Sequence, residues 1–389
     1  MDLNIFKEQT QQEILSQAQK IAAYTEMIAK GQTVDSFAGL QTLVRNGVVG
    51  TAVKVGDQLT AAWNGTDRDW DVQGIDEACP ADPTKTHTLD LLFHACLGTR
   101  VFDPEQYLYA IRATDWADGL PAGTYNIGYR TGASAITYWK FTTTMVVPVG
   151  GGICVSAAPS ASAKVTTYAA DTFTVLESNL ALSEASDAAD GTPLGVTSDN
   201  TRSYIEGDAM NFVHRCQYGA NRWRYSFMRQ YLNSDEATMT WTPGTIWSRR
   251  PSALPAGFLY TLDPAMKSVL GRVRVRYAIP NCDGGGYEDL EDLVTLQTML
   301  DMGYGNNGSV VEGPVDAEGN VKRTTAYSLW VGKANADKIK YNGTSASRWW
   351  MSSPNPPYAY YERSVNNSGA LVNVNGFGAY GAVPSLHII

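Results

Sequence analysis

The spacing of apolar and polar positions divides the chain into three textures. Residues 4–30 contain no Pro or Gly and are dominated by Gln, Glu, Ala, Lys and Ile, which predicts a helix ending at Gly31. Ile14, Ile21 and Ile28 recur every seven residues, with Gln17 and Tyr24 between them. This loose heptad predicts either a short coiled coil or anchoring helix, or a helix packed on its own domain. From about residue 48 to 178 the pattern shortens into β-like runs: 48–63, split near Gly56-Asp57, then 107–113, 123–129, 136–149, 153–156 and 165–176. Short strands at this spacing predict a β-sandwich. Residues 178–206 are small and polar and read as a linker or long surface loop.

The last third is different again. Residues 221–233 predict an amphipathic helix, with Trp223, Phe227, Tyr231 and Leu232 on its apolar face and Arg222, Arg224 and Arg229 in solvent. Asp263 followed by Pro264 is a helix start signal. Residues 271–278 alternate strictly, turning Val273, Val275 and Tyr277 inward and Arg272, Arg274 and Arg276 outward. That arginine stripe either pairs with nearby carboxylates or binds an anion. The tail opens on Arg348-Trp349-Trp350 and closes on Val383-Pro384-Ser385-Leu386, both of which read as core. Between these anchors lie a turn at 354–357, an alternating run at 358–365, a turn at 366–369, a short strand at 370–374 and a Gly-rich loop at 376–381.

Composition sharpens the reading of the tail. From Tyr341 to the end, Arg348, Glu362 and Arg363 are the formally charged residues, with His taken as neutral, and Asn, Tyr, Ser and Gly abound. Ordinary hairpin turns are usually solubilised by Lys, Asp and Glu. A neutral surface rich in Tyr and Asn is built like a paratope, in which Tyr supplies rigid contact area and Asn, Ser and Gly supply adaptable hydrogen bonds. Strand alternation and turn position place Asn355, Tyr358, Tyr360, Glu362, Asn366, Asn373, Asn375, Phe377 and Tyr380 outward as ligand contacts. Arg363, Val365, Leu371 and Val383 hold the scaffold.

At 389 residues the chain suits two or three domains. Its net charge of −9 argues against a nucleic-acid surface, which would be basic. Cys79, Cys96, Cys154, Cys216 and Cys282 are odd in number and widely spaced, which predicts buried free thiols rather than a disulfide framework or zinc site. Four scattered His suggest no metal centre. The N-terminus lacks a signal-peptide pattern, and no apolar run reaches the ~20 residues of a membrane span. The expectation is a chain folded in a bacterial cytoplasm, without membrane insertion. The acidic Gly-rich stretch 283–292 either supplies oxygens to a hard cation or is a surface turn leading into a strand at 293–296. It lacks the alternating ligand spacing of an EF-hand loop. No G-x-S-x-G, H-E-x-x-H or phosphate loop is present, and no catalytic residue, metal or cofactor is assigned.

Five segments occur in order: Tyr218-Gly219-Ala220-Asn221-Arg222-Trp223, Arg229-Gln230-Tyr231-Leu232-Asn233-Ser234, Asp283-Gly284-Gly285-Gly286-Tyr287, Arg348-Trp349-Trp350-Met351-Ser352-Ser353-Pro354 and Gly381-Ala382-Val383-Pro384. Together they resemble the C-type lectin-fold domain common in phages and prophages of gut bacteria. That domain is distantly similar to formylglycine-generating enzymes and to the variable proteins of diversity-generating retroelements. The resemblance covers roughly 205–389. It implies an α+β domain whose last strands and loops display a ligand-binding face, and a tail rewritten at template adenines. Two departures stand out. Met351-Ser352 follows the Trp pair where the family often has Leu-Arg. No Cys follows Cys282, so the enzymes' catalytic Cys pair has no counterpart.

The organisation expected is an N-terminal helix over 1–33 for oligomerisation or virion anchoring, a β-sandwich-like domain with linker over 34–190, and an α+β C-type lectin-like domain over 191–389. The function expected is a phage receptor-binding or adhesin protein, located on the virion, that reads a host-cell surface protein or glycan. It would contact other virion proteins and self-assemble, with a trimer favoured. A capsid or tail decoration protein of the same fold is the alternative within that class. A carbohydrate-active or modifying enzyme is the alternative from another class, which coupled carboxylates or a Cys in the tail would favour.

Overall fold

The initial helix runs Leu3–Ala29 in the computed structural model, which describes residues 3–104, 108–109, 118–130, 135–148, 152–155, 159–168, 175–187, 189–198, 218–242, 251 and 253–389. Ala23 and Met27 are buried, whereas Ile14, Ile21 and Ile28 are 65%, 67% and 71% exposed. One side of the helix is thus packed and its heptad isoleucines face solvent. A second helix, Phe37–Arg45, starts where the Ser36 side chain accepts a hydrogen bond from the Gly39 amide, and it buries Leu40, Leu43 and Val44.

The chain is mixed α+β, mostly sheet with few helices. A five-stranded sheet has the order Gln58–Trp63, Thr66–Ile75, Leu89–Phe93, Ser385–Ile388, Val294–Thr295. Its first hairpin turns through Asn64 (φ 51) and Gly65 (φ 71), the positive-φ pair that a two-residue hairpin demands. Leu89–Phe93 is buried along its whole length and pairs on its two edges with Thr66–Ile75 and Ser385–Ile388. A second five-stranded sheet has the order Leu371–Asn375, Tyr361–Val365, Trp349–Pro354, Ala379–Gly381, Thr99–Val101. Val273–Ala278 lies between Tyr287–Asp292 and Gly313–Pro314 in a third. All three share one core, in which Trp70 meets Phe93 at 4.9 Å and Phe102 meets Trp350 at 5.5 Å between ring centroids. Trp349, Trp350, Val383 and Leu386 are fully buried in that core alongside Trp223, Phe227 and Leu232.

Two four-stranded sheets within 108–198 form a separate body. Ile153, Val155 and Val165 from one sheet meet Tyr125, Ile127, Phe141 and Leu194 from the other in a second core. This corrects the expected division at 34–190. Residues 58–101 belong to the sheets of the C-terminal part, and the second core draws on residues 120–194. The expected linker at 178–206 contains strands Val175–Ala181, Ser183–Ala185 and Thr192–Ser198, with Leu182 and Leu194 buried; residues 199–206 lie outside the described residues. Two further expectations change. Residues 49–51 form a 3₁₀ turn rather than a strand. The helix expected over 221–233 is a 3₁₀ turn, Trp223–Tyr225, followed by Phe227–Leu232, because extended Ser226 breaks the run and caps the second piece through the Arg229 amide. The run expected at 107–113 lies largely outside the described residues, as does Cys216. Cys79 and Cys96 are buried free thiols, each pushed up to about 11 by burial.

Buried polar pairs tie the early strands to the late ones. His387 Nδ1 lies 2.8 Å from Asp90 Oδ1, directly across the strand pair. The other Asp90 oxygen accepts from the Ala78 amide at 3.1 Å and the Thr88 hydroxyl at 3.1 Å. Lys340 Nζ donates to Asp71 at 3.0 Å and to the Phe93 carbonyl at 3.2 Å. Burial would raise the Asp71 carboxyl, but the Lys340 charge and hydrogen bonds from Gln58, His94 and Lys340 together hold it below the usual carboxylate range.

Two outcomes follow. Asp90→Ala strands buried donors on three segments and should lower unfolding free energy by about 3–5 kcal/mol, whereas Asp235→Ala, which removes an exposed partner of Lys267, should change it by under ~1 kcal/mol; urea denaturation of both variants checks this. A carboxyl with a depressed folded pKa contributes stability that is present above its unfolded pKa of about 3.9 and is lost as the pH falls through the folded value. The stability gap between the wild type and Asp71→Asn should therefore be full near pH 7 and shrink below about pH 4, as read by melting temperature against pH.

Candidate functional site

Three loops meet at one edge of the Trp349–Pro354 sheet. In the first, the Asn355 amide donates to the Tyr361 carbonyl at 2.8 Å and the Tyr358 amide to the Asn355 carbonyl at 3.0 Å, which closes the Pro-rich turn. The second, 376–378, hangs on it through Gly376 N to Tyr360 O at 3.0 Å. The third, 218–221, joins through Phe377 N to Tyr218 O at 2.9 Å, and Asn221 Nδ2 donates to the carbonyls of both Tyr358 and Tyr361 at 2.8 Å. The approach needs glycine: a Cβ on Gly376 would sit 2.4 Å from the Ala220 carbonyl oxygen.

These loops gather five rings. Tyr360 lies 4.2 Å from Tyr361, 4.9 Å from Tyr218 and 6.1 Å from Tyr358; Tyr358 lies 5.0 Å from Tyr361, and Tyr218 lies 6.3 Å from Phe377. Phe377 is 40% exposed and the tyrosines of the tail are half-buried. Burial, with the Tyr361 hydroxyl beside it, raises the Tyr360 hydroxyl's pKa.

Of the nine expected contact residues, Tyr358, Tyr360 and Phe377 join this cluster. Asn375 is half-buried beside it, paired across the strands with Tyr361. Asn373 is exposed and accepts from Arg363 at 2.6 Å. Asn366 is spent on its own turn, accepting from the Ser368 and Ala370 amides, both at 2.9 Å. Tyr380 packs on Trp350 at 5.1 Å beneath the Arg348 guanidinium. Asn355 is buried. Glu362 is 0% exposed, so its outward placement is corrected: the face carrying Glu362 and Ser364 turns into the molecule. Val365 and Val383 are buried, Arg363 and Leu371 half-buried. Tyr218 and Tyr361 were not foreseen. Tyr218 lies far away in sequence, and alternation had placed Tyr361 on the scaffold side.

The acidic stretch is occupied by arginines. Across the antiparallel register Arg274 faces Glu291 and Arg276 faces Asp289, closing ion pairs at 2.5 and 2.8 Å. Arg222 and Arg224 both hold Glu288, and Arg229 holds Asp292 at 2.7 Å; these three arginines are clamps rather than solvated groups. A cleft of about 730 Å³ runs along this region, beside Arg224, Arg229 and Arg272. Among the described residues no group of three or more His, Cys, Asp or Glu is placed to hold a metal, and no helix is long and apolar enough to cross a membrane.

A coupled carboxylate pair does exist. Glu312 and Glu362 are both fully buried. Burial pushes Glu312 up to about 7 despite hydrogen bonds from Ser353, the Ala278 amide and Asn307. Burial and then the Glu312 charge raise Glu362.

Residues 201–388 match a family described as Domain of unknown function (DUF6273). No curated protein and no solved structure matches the chain.

The scaffold and the surface of the site separate energetically. Trp350→Ala should destabilise by about 3–5 kcal/mol through cavity formation. Phe377→Ala should stay within about 0.5 kcal/mol. Chemical denaturation of the two variants reads both.

Proposed function

We propose that this chain is a binding protein of the phage receptor-binding or adhesin kind, presenting a ligand surface on a C-type lectin-like domain. The observation that carries the reading is the five-ring cluster of Tyr218, Tyr358, Tyr360, Tyr361 and Phe377 beside Asn375. Rings held on loops that are fixed to a buried sheet offer contact area whose ordering entropy has already been lost on folding. Ring faces with amides beside them suit the apolar faces of a glycan or a protein epitope on a host cell. The resemblance of the ordered segments supports the lectin-like fold, the virion setting and diversification of the tail. The exposed Ile14, Ile21 and Ile28 stripe supports self-assembly or virion docking through the N-terminal helix.

The enzymatic alternative has one observation in its favour, the Glu312–Glu362 pair. Both side chains are shut away from solvent, where neither can meet a substrate, so binding is the reading we hold. A decoration protein of the same fold would carry the same rings without a host ligand.

The test uses the full chain against a glycan array and a panel of intact bacterial cells. Replacing Tyr358, Tyr360 and Phe377 by Ala should leave the protein folded and weaken binding at least tenfold, since interface hot spots contribute about 2 kcal/mol or more each. A folded variant that binds as before would place the contact surface elsewhere. Diversification predicts a reverse transcriptase gene beside this one, with a near-copy of the codons for 345–389 that differs at template adenines; absence of both removes that part of the proposal.

A further inference from the structure

We infer that Arg100 and Arg348, with Tyr380 between them, form the binding site of one anionic group, the carboxylate or phosphate of an acidic glycan. The inference rests on the reading of the ring edge as a ligand surface, and it names the charge that the ligand carries. Tyr380 lies opposite Arg100 where Ala379–Gly381 pairs with Thr99–Val101. Arg348 directly precedes Trp349, whose register partner is Gly381. Its guanidinium lies 4.9 Å from the centre of the Tyr380 ring, and Nη1 lies 3.3 Å from the Tyr380 hydroxyl. Directly opposed residues of paired strands share a face, so Arg348, Tyr380 and Arg100 form a row across three neighbouring segments. At the far end of that row Arg100 stacks on the buried Tyr231 ring at 4.5 Å.

The two arginines differ from the others in what surrounds them. Arg222, Arg224, Arg229, Arg274, Arg276 and Arg323 each hold a carboxylate. Arg45, Arg68, Arg130 and Arg272 have no ion pair among the described residues, but they are exposed and water serves them. Arg363 acts on the buried Glu362 beside it. Arg100 and Arg348 are half-buried, and among the described residues no carboxylate lies within ion-pair distance of either. Their hydrogen bonds go to phenols: Arg100 Nη2 lies 3.5 Å from the Tyr231 hydroxyl, and its buried Nε has no partner. Asp103, the acid nearest to Arg100 in sequence, accepts from the Phe227 amide at 3.0 Å.

A buried donor left without an acceptor is unfavourable, and an anion is the acceptor that a guanidinium answers best. Stacking on a ring fixes the plane of each guanidinium and leaves its N–H fork to meet two oxygens of a carboxylate or phosphate. The Tyr380 hydroxyl, accepting from Arg348, keeps its own proton as a further donor. The row adjoins the ring cluster, because Phe377 and Tyr380 belong to one loop; a Cβ on Gly378 between them would come within 2.5 Å of the Tyr380 ring. The chain's net charge of −9 repels a dense polyanion at long range. A single acidic substituent on a sugar escapes that repulsion, and the sugar's apolar face suits the rings beside it.

The test uses the full chain on an array holding neutral, carboxylate-bearing and phosphate-bearing glycans, read at low and at high salt. Acidic members should bind at least tenfold more tightly than their neutral counterparts, and the two acidic sets tell which acid the site takes. Ring contacts are insensitive to salt, so this excess is the part of the affinity that high salt removes. Arg348→Gln and Arg100→Gln should each abolish most of the excess and leave neutral glycans bound as before. Arg348→Lys should restore part of it, which a purely structural role would not predict. If Arg100→Gln fails to fold, the two Arg348 variants carry the reading alone. Equal binding of acidic and neutral members, or an acidic excess undiminished in the folded glutamine variants, overturns the anion site and leaves the ring surface standing. A chain that binds a host-cell protein and no glycan overturns it as well. Loss of all binding on replacing Tyr358, Tyr360 and Phe377, with the arginines intact, supports the rings without bearing against the row.

Discussion

The pairing of Ser385–Ile388 with Leu89–Phe93 is the contact on which the rest of the molecule depends. It places the last strand at the heart of a sheet begun by residues 58–93, and it seals the join with the buried His387–Asp90 contact. Every residue between these strands is therefore held in a loop closed at both ends. The second body, with its own core, can be spliced into that loop without disturbing the sheet. Because the partners lie almost 300 residues apart, loop-closure entropy must be lost before this pairing contributes, and such long-range β contacts form slowly. The tail is consequently a structural element first; any surface it displays is borne by strands that complete the core.

That arrangement explains how a nearly uncharged tail stays ordered. Trp349 donates its indole N–H to the Lys338 carbonyl and Trp350 donates to the Arg100 carbonyl, so each ring is both buried and oriented. Asn221 acts from outside the tail as a carboxamide staple across the 358–361 turn. The loops between these points need no ion pairs of their own to hold their shape. Their side chains are free to vary in a way that those of the Trp349–Pro354 strand are not.

Patterns with short-range causes were legible in the sequence. The alternation at 271–278 correctly separated Val273, Val275 and Tyr277 from the arginines, and Asp263 caps Pro264–Lys267 through the Ala265 and Met266 amides. The apolar anchors of the tail are core. What was not legible depended on pairing between distant segments. Nothing local in 58–101 reveals that these strands join 349–388 rather than the β-rich run that follows. Alternation likewise put Tyr360 and Glu362 on one face, but it could not say which face turns inward, and the outward placement of Glu362 was the wrong one. Glu362 turns inward where its strand pairs with Trp349–Pro354 on one side and Leu371–Asn375 on the other, a placement that no single segment encodes.

Charge is distributed to match this division of labour. Arg222, Arg224, Arg229, Arg274 and Arg276 are matched with the carboxylates of 288–292, in pairs that are mostly half-buried and so less screened than exposed ones. Of these, Arg229 ties the Phe227–Leu232 helix to the Tyr287–Asp292 strand of the Val273–Ala278 sheet. The aromatic edge, by contrast, is made of neutral rings and amides. Recognition there would rest on ring faces and short hydrogen bonds, interactions that salt screens little, while the fold beneath is clamped by partly buried ion pairs.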